Sequence, residues 1–89
     1  MRKHYTLAGN VQGVGFRWFV RDEAVSRGIA GWVRNLADGS VELEAQADAE
    51  QLAAFEEALK TGHPWARVSG VKSYELPPTK EETEFTIRH

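Results

Sequence analysis

The chain has 89 residues, of which 42% are hydrophobic and 27% are charged, a balance typical of one small globular domain covering residues 1–89. It contains no cysteine, which excludes disulfides, thiolate catalysis and cysteine-ligated metal centres. The net charge is −2, whereas nucleic-acid-binding domains usually carry a strong basic surplus, so we expect no nucleic-acid partner. No apolar run approaches the ~18 residues of a membrane helix, and none near Met1 resembles a signal peptide. We therefore expect a cytoplasmic protein with no membrane partner.

The N-terminal third is predicted to form a strand, a loop and a helix. Lys3 to Gly9 alternates polar and apolar side chains, as a half-buried strand does. Asn10 to Gly15 contains two glycines and is predicted to be a loop with unusual backbone angles. From Phe16 to Arg27 the apolar residues recur at helical spacing, and Gly28 is placed to end this helix.

A β-hairpin is predicted next. The strands Ala30 to Leu36 and Ser40 to Ala47 flank Asp38-Gly39, a dipeptide that favours tight turns. The second of these strands alternates cleanly, so its apolar residues are predicted to face the core. Its polar residues are predicted to face water, and they are Ser40, Glu42, Glu44 and Gln46.

The C-terminal half is predicted to add a second helix and two strands. Asp48 is a good helix N-cap, and Gln51 stands where a capping box requires it. Gly62-His63-Pro64 ends that helix, and strands are predicted at Val68 to Leu76 and at Glu84 to Arg88. The order of elements predicts an α+β fold, a ferredoxin-like two-layer sandwich (βαββαβ) in which an antiparallel sheet carries both helices on one face.

The segment Gly9 to Arg17 has the features of an anion-binding loop. Between a strand and a helix, consecutive backbone amides can form a concave nest, and the helix N-terminus adds partial positive charge at the same place. Arg17 lies in the first helical turn, where its planar guanidinium could bind two phosphate oxygens. The loop lacks the lysine and the Ser/Thr of a nucleotide-binding P-loop. Turn formation alone would also explain the glycines, so the residues by themselves leave both readings open.

Two runs of residues resemble a known family. Gly9-Asn10-Val11-Gln12-Gly13-Val14-Gly15-Phe16-Arg17 resembles the first signature of the acylphosphatases. Gly31-Trp32-Val33-Arg34-Asn35, followed by Gly39 and Val41, is similar to the second. The similarity covers nearly the whole chain, including the C-terminal stretch from Phe85 to Arg88, and the chain departs from the family pattern at Ala47, where a glycine is usual.

This resemblance implies a hydrolase, an acylphosphatase that converts acyl phosphates into a carboxylate and orthophosphate with no metal and no other cofactor. It implies that Arg17 and Asn35 are the catalytic residues, Arg17 by holding the phosphate and Asn35 by orienting the attacking water. The implied phosphate-binding loop comprises Gln12, Gly13, Val14, Gly15, Phe16 and Arg17. We expect a monomer whose partners are a small acyl phosphate and orthophosphate, the latter both a product and a competitive inhibitor.

Two other functions fit the residues less well. The run Gly13 to Val20 superficially resembles an RNA-recognition strand motif, but its aromatic residues have helical spacing. A non-catalytic anion-binding domain would have no use for an amide that orients water, although Asn35 could also simply favour the turn.

The histidines and tryptophans give weaker signals. His4, His63 and His89 do not cluster in the sequence, so we expect neither a metal site nor an acid–base role for them. Trp18, Trp32 and Trp65 are predicted to serve packing, and one of them could line the acyl end of a substrate pocket.

Overall fold

The computed structural model describes residues 1–89 and contains two helices and five strands. In chain order they are β1 (Arg2–Asn10), α1 (Phe16–Ser26), β2 (Ala30–Asn35), β3 (Val41–Gln46), α2 (Ala49–Thr61), β4 (Arg67–Leu76) and β5 (Phe85–Ile87). Every predicted element is confirmed, and its ends lie within about one residue of the predicted ones, the usual uncertainty of such boundaries. The longest helix has 13 residues, and neither helix could span a bilayer.

The five strands form one sheet in the order β4-β1-β3-β2-β5. β1 is antiparallel to β3 and β4, and β2 is antiparallel to β3, but β5 pairs with β2 in parallel. The prediction of an antiparallel sheet is therefore confirmed for β1 to β4 and wrong for β5. The parallel pairing arises because β4 ends at the end of the sheet where β2 begins. Leu76, the last residue of β4, pairs with Arg2, and Arg2 lies level with the start of β2. A strand that starts there at the opposite edge must run beside β2 in the same direction.

Both helices pack on the same face of the sheet, as predicted. One cluster of buried apolar side chains joins the two layers, and α1 contacts α2 directly. Its members from the helices are Phe16, Val20, Ala24, Leu52, Phe55 and Leu59, and those from the strands are Tyr5, Leu7, Val33, Val41, Leu43, Ala45 and Phe85. The core thus holds the ends of β1 and β2 in fixed positions below the loops that follow them.

The opposite face of the sheet is polar and half-buried, not fully open to water. The alternating pattern predicts that Glu42 faces solvent, yet its carboxylate is 3.0 Å from the ring Nε2 of His4 and accepts a hydrogen bond from Arg34. Burial by itself raises the pKa of Glu42, but the hydrogen bonds from His4 and Arg34 outweigh it and hold the pKa below its usual value. Glu42 therefore remains ionised and ties β1, β2 and β3 together across their polar face.

Gly31 in β2 is required by close packing against β3. Its φ is +152°, and a Cβ added there would lie 1.9 Å from the backbone oxygen of Glu44. We expect Gly31→Ala to lower the free energy of unfolding by about 3 kcal/mol, because it adds a steric clash to backbone strain. Urea unfolding measures this loss.

The matched control for that substitution is Gly28→Ala. Gly28 also has a positive φ, +69°, but a Cβ added there would meet no heavy atom within 4 Å. Strain without a clash should cost about 1 kcal/mol. Equal losses in the two variants would show that the contact with Glu44 is unimportant.

Candidate active site

The loop between β1 and α1 has the backbone shape that the sequence predicts. Gly13 and Gly15 have φ values of +77° and +74°, and Gly15 is the N-cap of α1 in a left-handed conformation. A side chain at either position would be strained, since non-glycine residues rarely adopt these angles. The glycines thus bend the chain so that the loop leads directly into the helix N-terminus.

The backbone amides of this loop are left without partners inside the protein. None of the N–H groups from Gln12 to Trp18 donates a hydrogen bond to another protein atom; the first bonded amide of α1 is that of Phe19, which donates to the Gly15 carbonyl at 3.1 Å. Unpaired consecutive amides at a helix N-terminus form a binding site for an anion.

The residues that carry these amides, Val14 excepted, line a cavity of about 220 Å³. Its lining comes from both signature segments and from Trp18, which follows the first; the signature residues are Val11, Gln12, Gly13, Gly15, Phe16, Arg17 and Asn35. Five of the six predicted phosphate-binding residues line it. The sixth, Val14, instead packs its side chain against the hydrophobic core. Arg17 is the only charged residue in this lining, so the cavity favours an anion.

Arg17 is held by the C-terminal end of the chain. One of its terminal nitrogens, Nη1, donates to the carbonyl oxygen of Arg88 at 3.3 Å and lies 3.2 Å from the Nδ1 atom of His89. Its Nη2 and Nε atoms have no partner in the protein, so two nitrogen atoms of the guanidinium are available to donate to a ligand.

Asn35 lies at the end of β2 and faces the same cavity. Its backbone pairs with Val41 of β3, which fixes the residue in the sheet. Its side-chain amide makes no hydrogen bond to the protein and is exposed. The amide can therefore donate to, or accept from, a small molecule in the cavity.

The side chain and the backbone amide of Gln12 have different roles. Its side-chain Nε2 donates to the carbonyl oxygens of Leu36 and Ser40, at 2.8 and 2.9 Å. These bonds tie the loop to the β2–β3 hairpin. The predicted phosphate contact of Gln12 can therefore come only from its backbone amide, while its side chain is occupied.

The hairpin turn is closed by its own hydrogen bonds. The prediction that Ser40 faces water is wrong: the residue is buried, and its backbone N–H and its hydroxyl both donate to the Asp38 carboxylate at 2.9 and 2.5 Å. These bonds hold the pKa of Asp38 below its usual value. The Asp38 carboxylate is thus used within the turn.

Sequence reasoning missed the contact between Arg17 and the C-terminus. It gives His89 no role, because nothing in the spacing relates a terminal histidine to a residue 72 positions earlier. The similarity noted at Phe85 to Arg88 is the one available signal. His4 and His63 lie elsewhere, and no group of three or more side chains in the chain is arranged to hold a metal ion.

The pH dependence of turnover tests whether His89, which lies beside Arg17, acts as a general acid or base. Histidine is the side chain that normally titrates between about pH 5 and 8. The contact between His89 and Arg17 is exposed, and exposed polar pairs contribute only about 0–1 kcal/mol to the stability of an arrangement. We expect kcat/KM for benzoyl phosphate to change less than about 5-fold across that range. His89→Ala should leave the profile unaltered. A steep bell in the parent protein that disappears in His89→Ala would instead identify His89 as a general acid or base.

Comparison with known proteins places these features in a family context. The family model described as Acylphosphatase matches residues 3–87. The chain is 48% identical over 89 residues to an acylphosphatase of Bifidobacterium longum, covering 99% of this chain and 92% of the relative. The crystal structure of acylphosphatase from Bacillus subtilis superposes with a TM-score of 0.93 at 39% identity, covering 99% of this chain and 98% of that one. A structure of an acylphosphatase from Coxiella burnetii gives a TM-score of 0.89 at 38% identity, covering 98% and 90% of the two chains.

Proposed function

The chain belongs to the acylphosphatase family and is an enzyme of that family, and on this basis we propose that it hydrolyses acyl phosphates by a mechanism carried by the loop amides, Arg17 and Asn35. The products are a carboxylate and orthophosphate. The observation that carries the proposal is the single cavity around which unpaired amides, one guanidinium and one free carboxamide meet.

The phosphoryl group is bound by the loop. The free amides from Gln12 to Arg17 donate to its oxygens, and the two available donors of Arg17 bind the same group from the helix side. Such donors do not have to reorganise during the reaction, so each is worth about 10²–10³ in rate when charge develops on the oxygens. Orthophosphate carries the same oxygens and should therefore compete with the substrate.

Asn35 orients the attacking water. The carbonyl oxygen of its side-chain amide accepts a hydrogen bond from the water. This bond directs the water oxygen at phosphorus, opposite the acyl oxygen. A new P–O bond forms to the water as the P–O bond to the acyl group breaks, and the carboxylate leaves with that electron pair. The water proton passes to a phosphoryl oxygen of the substrate. A carboxylate is a good leaving group, so positioning and charge stabilisation can supply most of the rate.

A monomer is sufficient for this reaction. The loop, Arg17 and Asn35 all come from one chain, as does the C-terminal stretch that holds Arg17. We therefore propose that the protein acts as a monomer.

The proposal is tested by release of phosphate from benzoyl phosphate in the presence of excess chelator. The expected result is turnover that chelator does not reduce and that orthophosphate inhibits competitively. The double variant R17A/N35A is the control for spontaneous hydrolysis, which is appreciable for acyl phosphates.

Two outcomes would contradict the proposal. Binding of orthophosphate without turnover above the double-variant control would indicate a non-catalytic anion-binding domain. Turnover that chelator abolishes would indicate a metal-dependent reaction instead.

A further inference from the structure

The two halves of the site lie on separate segments of the chain. The loop amides and Arg17 lie between β1 and α1, whereas Asn35 lies at the start of the β2–β3 hairpin. An in-line attack requires that the water held by one half and the phosphorus held by the other keep a fixed separation. A side chain that joins the two segments would set that separation.

Gln12 is such a side chain. Its two Nε2 hydrogen bonds reach the carbonyls of Leu36, the residue directly after Asn35, and Ser40, at the other end of the turn. Gln12 itself contributes a free backbone amide to the loop. Gln12 therefore belongs to the phosphate-binding loop through its backbone amide and contacts the hairpin that carries Asn35 through its side chain.

The hairpin does not need Gln12 in order to close. The Leu36 carbonyl already accepts from the Gly39 amide at 3.2 Å, and the Ser40 carbonyl accepts from the Leu36 amide at 2.8 Å. Loss of the Gln12 amide would leave neither oxygen without a partner and would not open the turn. Its loss would remove the link between turn and loop.

We propose that the Gln12 side chain is a positioning residue that holds Asn35 at the correct distance from the phosphate loop. It acts through Asn35, so its contribution should vanish when the Asn35 amide is absent. The inference rests on the proposed function, and turnover by the parent protein tests that function separately.

The test is a double-variant cycle with Gln12→Met and Asn35→Ala. Methionine keeps the length and apolar volume of glutamine but has no N–H donor. In the parent background we expect kcat to fall about 10- to 100-fold, as misplacements of about 1 Å do, while inhibition by orthophosphate changes less than about 3-fold. In the Asn35→Ala background, Gln12→Met should lower kcat by less than about 3-fold.

A matched control is Gln46→Met at the other end of the sheet. Gln46 also joins distant segments: its side chain makes two hydrogen bonds to the carbonyl and the amide of Thr79, at 2.8 and 2.9 Å, and accepts a longer one from Arg2 at 3.4 Å. Both variants should lower the melting temperature by up to about 10 °C, but Gln46→Met should leave kcat unchanged.

Three results would overturn the inference. If Gln12→Met lowers kcat by the same factor in the parent and in the Asn35→Ala background, Gln12 acts independently of Asn35. An unchanged kcat in Gln12→Met would show that the link is unimportant, and an equal fall in kcat in Gln46→Met would assign the effect to general destabilisation. If Gln12→Met does not fold, Gln12→Leu, which is also uncharged and lacks an N–H donor, is carried through the same cycle.

A separate observation concerns the acyl end of the substrate. Trp18 lines the cavity, yet it is 56% exposed and does not pack against the hydrophobic core. The other large apolar residues of the lining, Val11 and Phe16, are both only 1% exposed. An acyl group that extends from a phosphate in the loop toward solvent can therefore meet one large apolar surface, the indole of Trp18.

The indole is partly fixed in place. The guanidinium of Arg21, one turn further along α1, lies 4.7 Å from the centre of the ring. A cation over one face of the ring restricts its rotation and leaves the opposite face free for a ligand. We infer that Trp18 contacts the acyl group and favours aromatic over small acyl phosphates.

The test compares benzoyl phosphate with acetyl phosphate in Trp18→Ala. An aromatic contact is worth about 0.5–1.5 kcal/mol, so the ratio of the kcat/KM value for benzoyl phosphate to that for acetyl phosphate should fall about 3- to 10-fold, because the loss falls mainly on the substrate whose ring can stack on the indole. Turnover of acetyl phosphate separates this inference from the proposed function. Trp65→Ala is the control, since Trp65 is 74% exposed and lies outside the cavity lining. An unchanged ratio in Trp18→Ala, or an equal fall in Trp65→Ala, would overturn the inference.

Discussion

Replacing Arg17 with alanine is expected to lower kcat/KM for benzoyl phosphate by about 10³-fold and to weaken inhibition by orthophosphate as well. The reason is that Arg17 is the only charged residue around the cavity, so apart from the partial charges of the loop amides no other positive group there offsets the charge of the phosphoryl group. Lysine at this position should restore little of the loss. It supplies a point charge, whereas the guanidinium presents its free Nη2 and Nε donors in one plane, matched to two phosphate oxygens.

Steady-state kinetics with orthophosphate as inhibitor measures both effects. Arg27→Ala is the matched control, because Arg27 follows the last residue of α1 and its guanidinium pairs with Glu23, away from the cavity. We expect that variant to behave like the parent protein. Turnover near the parent value in Arg17→Lys would show that charge alone matters and would exclude a bidentate contact.

The local features of this fold could be predicted because they are encoded by neighbouring residues. The capping box of α2 is an example: the Asp48 carboxylate accepts from the Gln51 amide at 2.8 Å, and the Asp48 amide donates to the Gln51 side chain at 3.2 Å. The positive φ values of Gly13 and Gly15 are another, since few other residues adopt them. In both cases the interacting groups lie within a few positions of one another.

The contacts that complete the site are of a different kind. Gln12 bonds to residues 24 and 28 positions away, and Arg17 to residues 71 and 72 positions away. No sequence motif marks these partner residues, because they accept mainly through backbone carbonyls, which every residue has. Such pairs follow from the strand order and not from local spacing, and the hydrophobic pattern does not determine strand order.

The parallel pairing of β5 has the same long-range origin, whereas the burial of Ser40 goes with a local contact that the alternating pattern does not reveal. The alternating pattern of β3 groups Ser40 with the water-facing residues, but the Asp38 carboxylate closes the turn over it. The direction of β5 depends on where the segment from residue 77 to 84 crosses the sheet. Its contacts include the carbonyl of Thr79, which accepts from Gln46, and the carboxylate of Glu82, which accepts from Arg2.

Asn35→Ala should separate the chemical step from binding and from folding. The substitution removes the carboxamide that orients water but leaves Arg17 and the loop amides in place. We expect kcat for benzoyl phosphate to fall about 10²-fold or more, the range lost when one positioned polar group is removed, while inhibition by orthophosphate changes little. The free energy of unfolding should fall by no more than ~1 kcal/mol, because the Asn35 side chain is exposed and makes no hydrogen bond to the protein.

The other asparagine of the chain provides the control for this prediction. Asn10 is also exposed at the end of a strand, but it lies outside the cavity lining, so Asn10→Ala should retain the parent kcat. Intact turnover in Asn35→Ala would mean that Asn35 is merely a turn residue. Parallel losses of turnover and phosphate affinity would mean that Asn35 binds the phosphoryl group and not the water. Urea unfolding of the same samples shows whether the alanine variant is folded, and Asn35→Ser, which keeps a polar group at the strand end, replaces it if it is not.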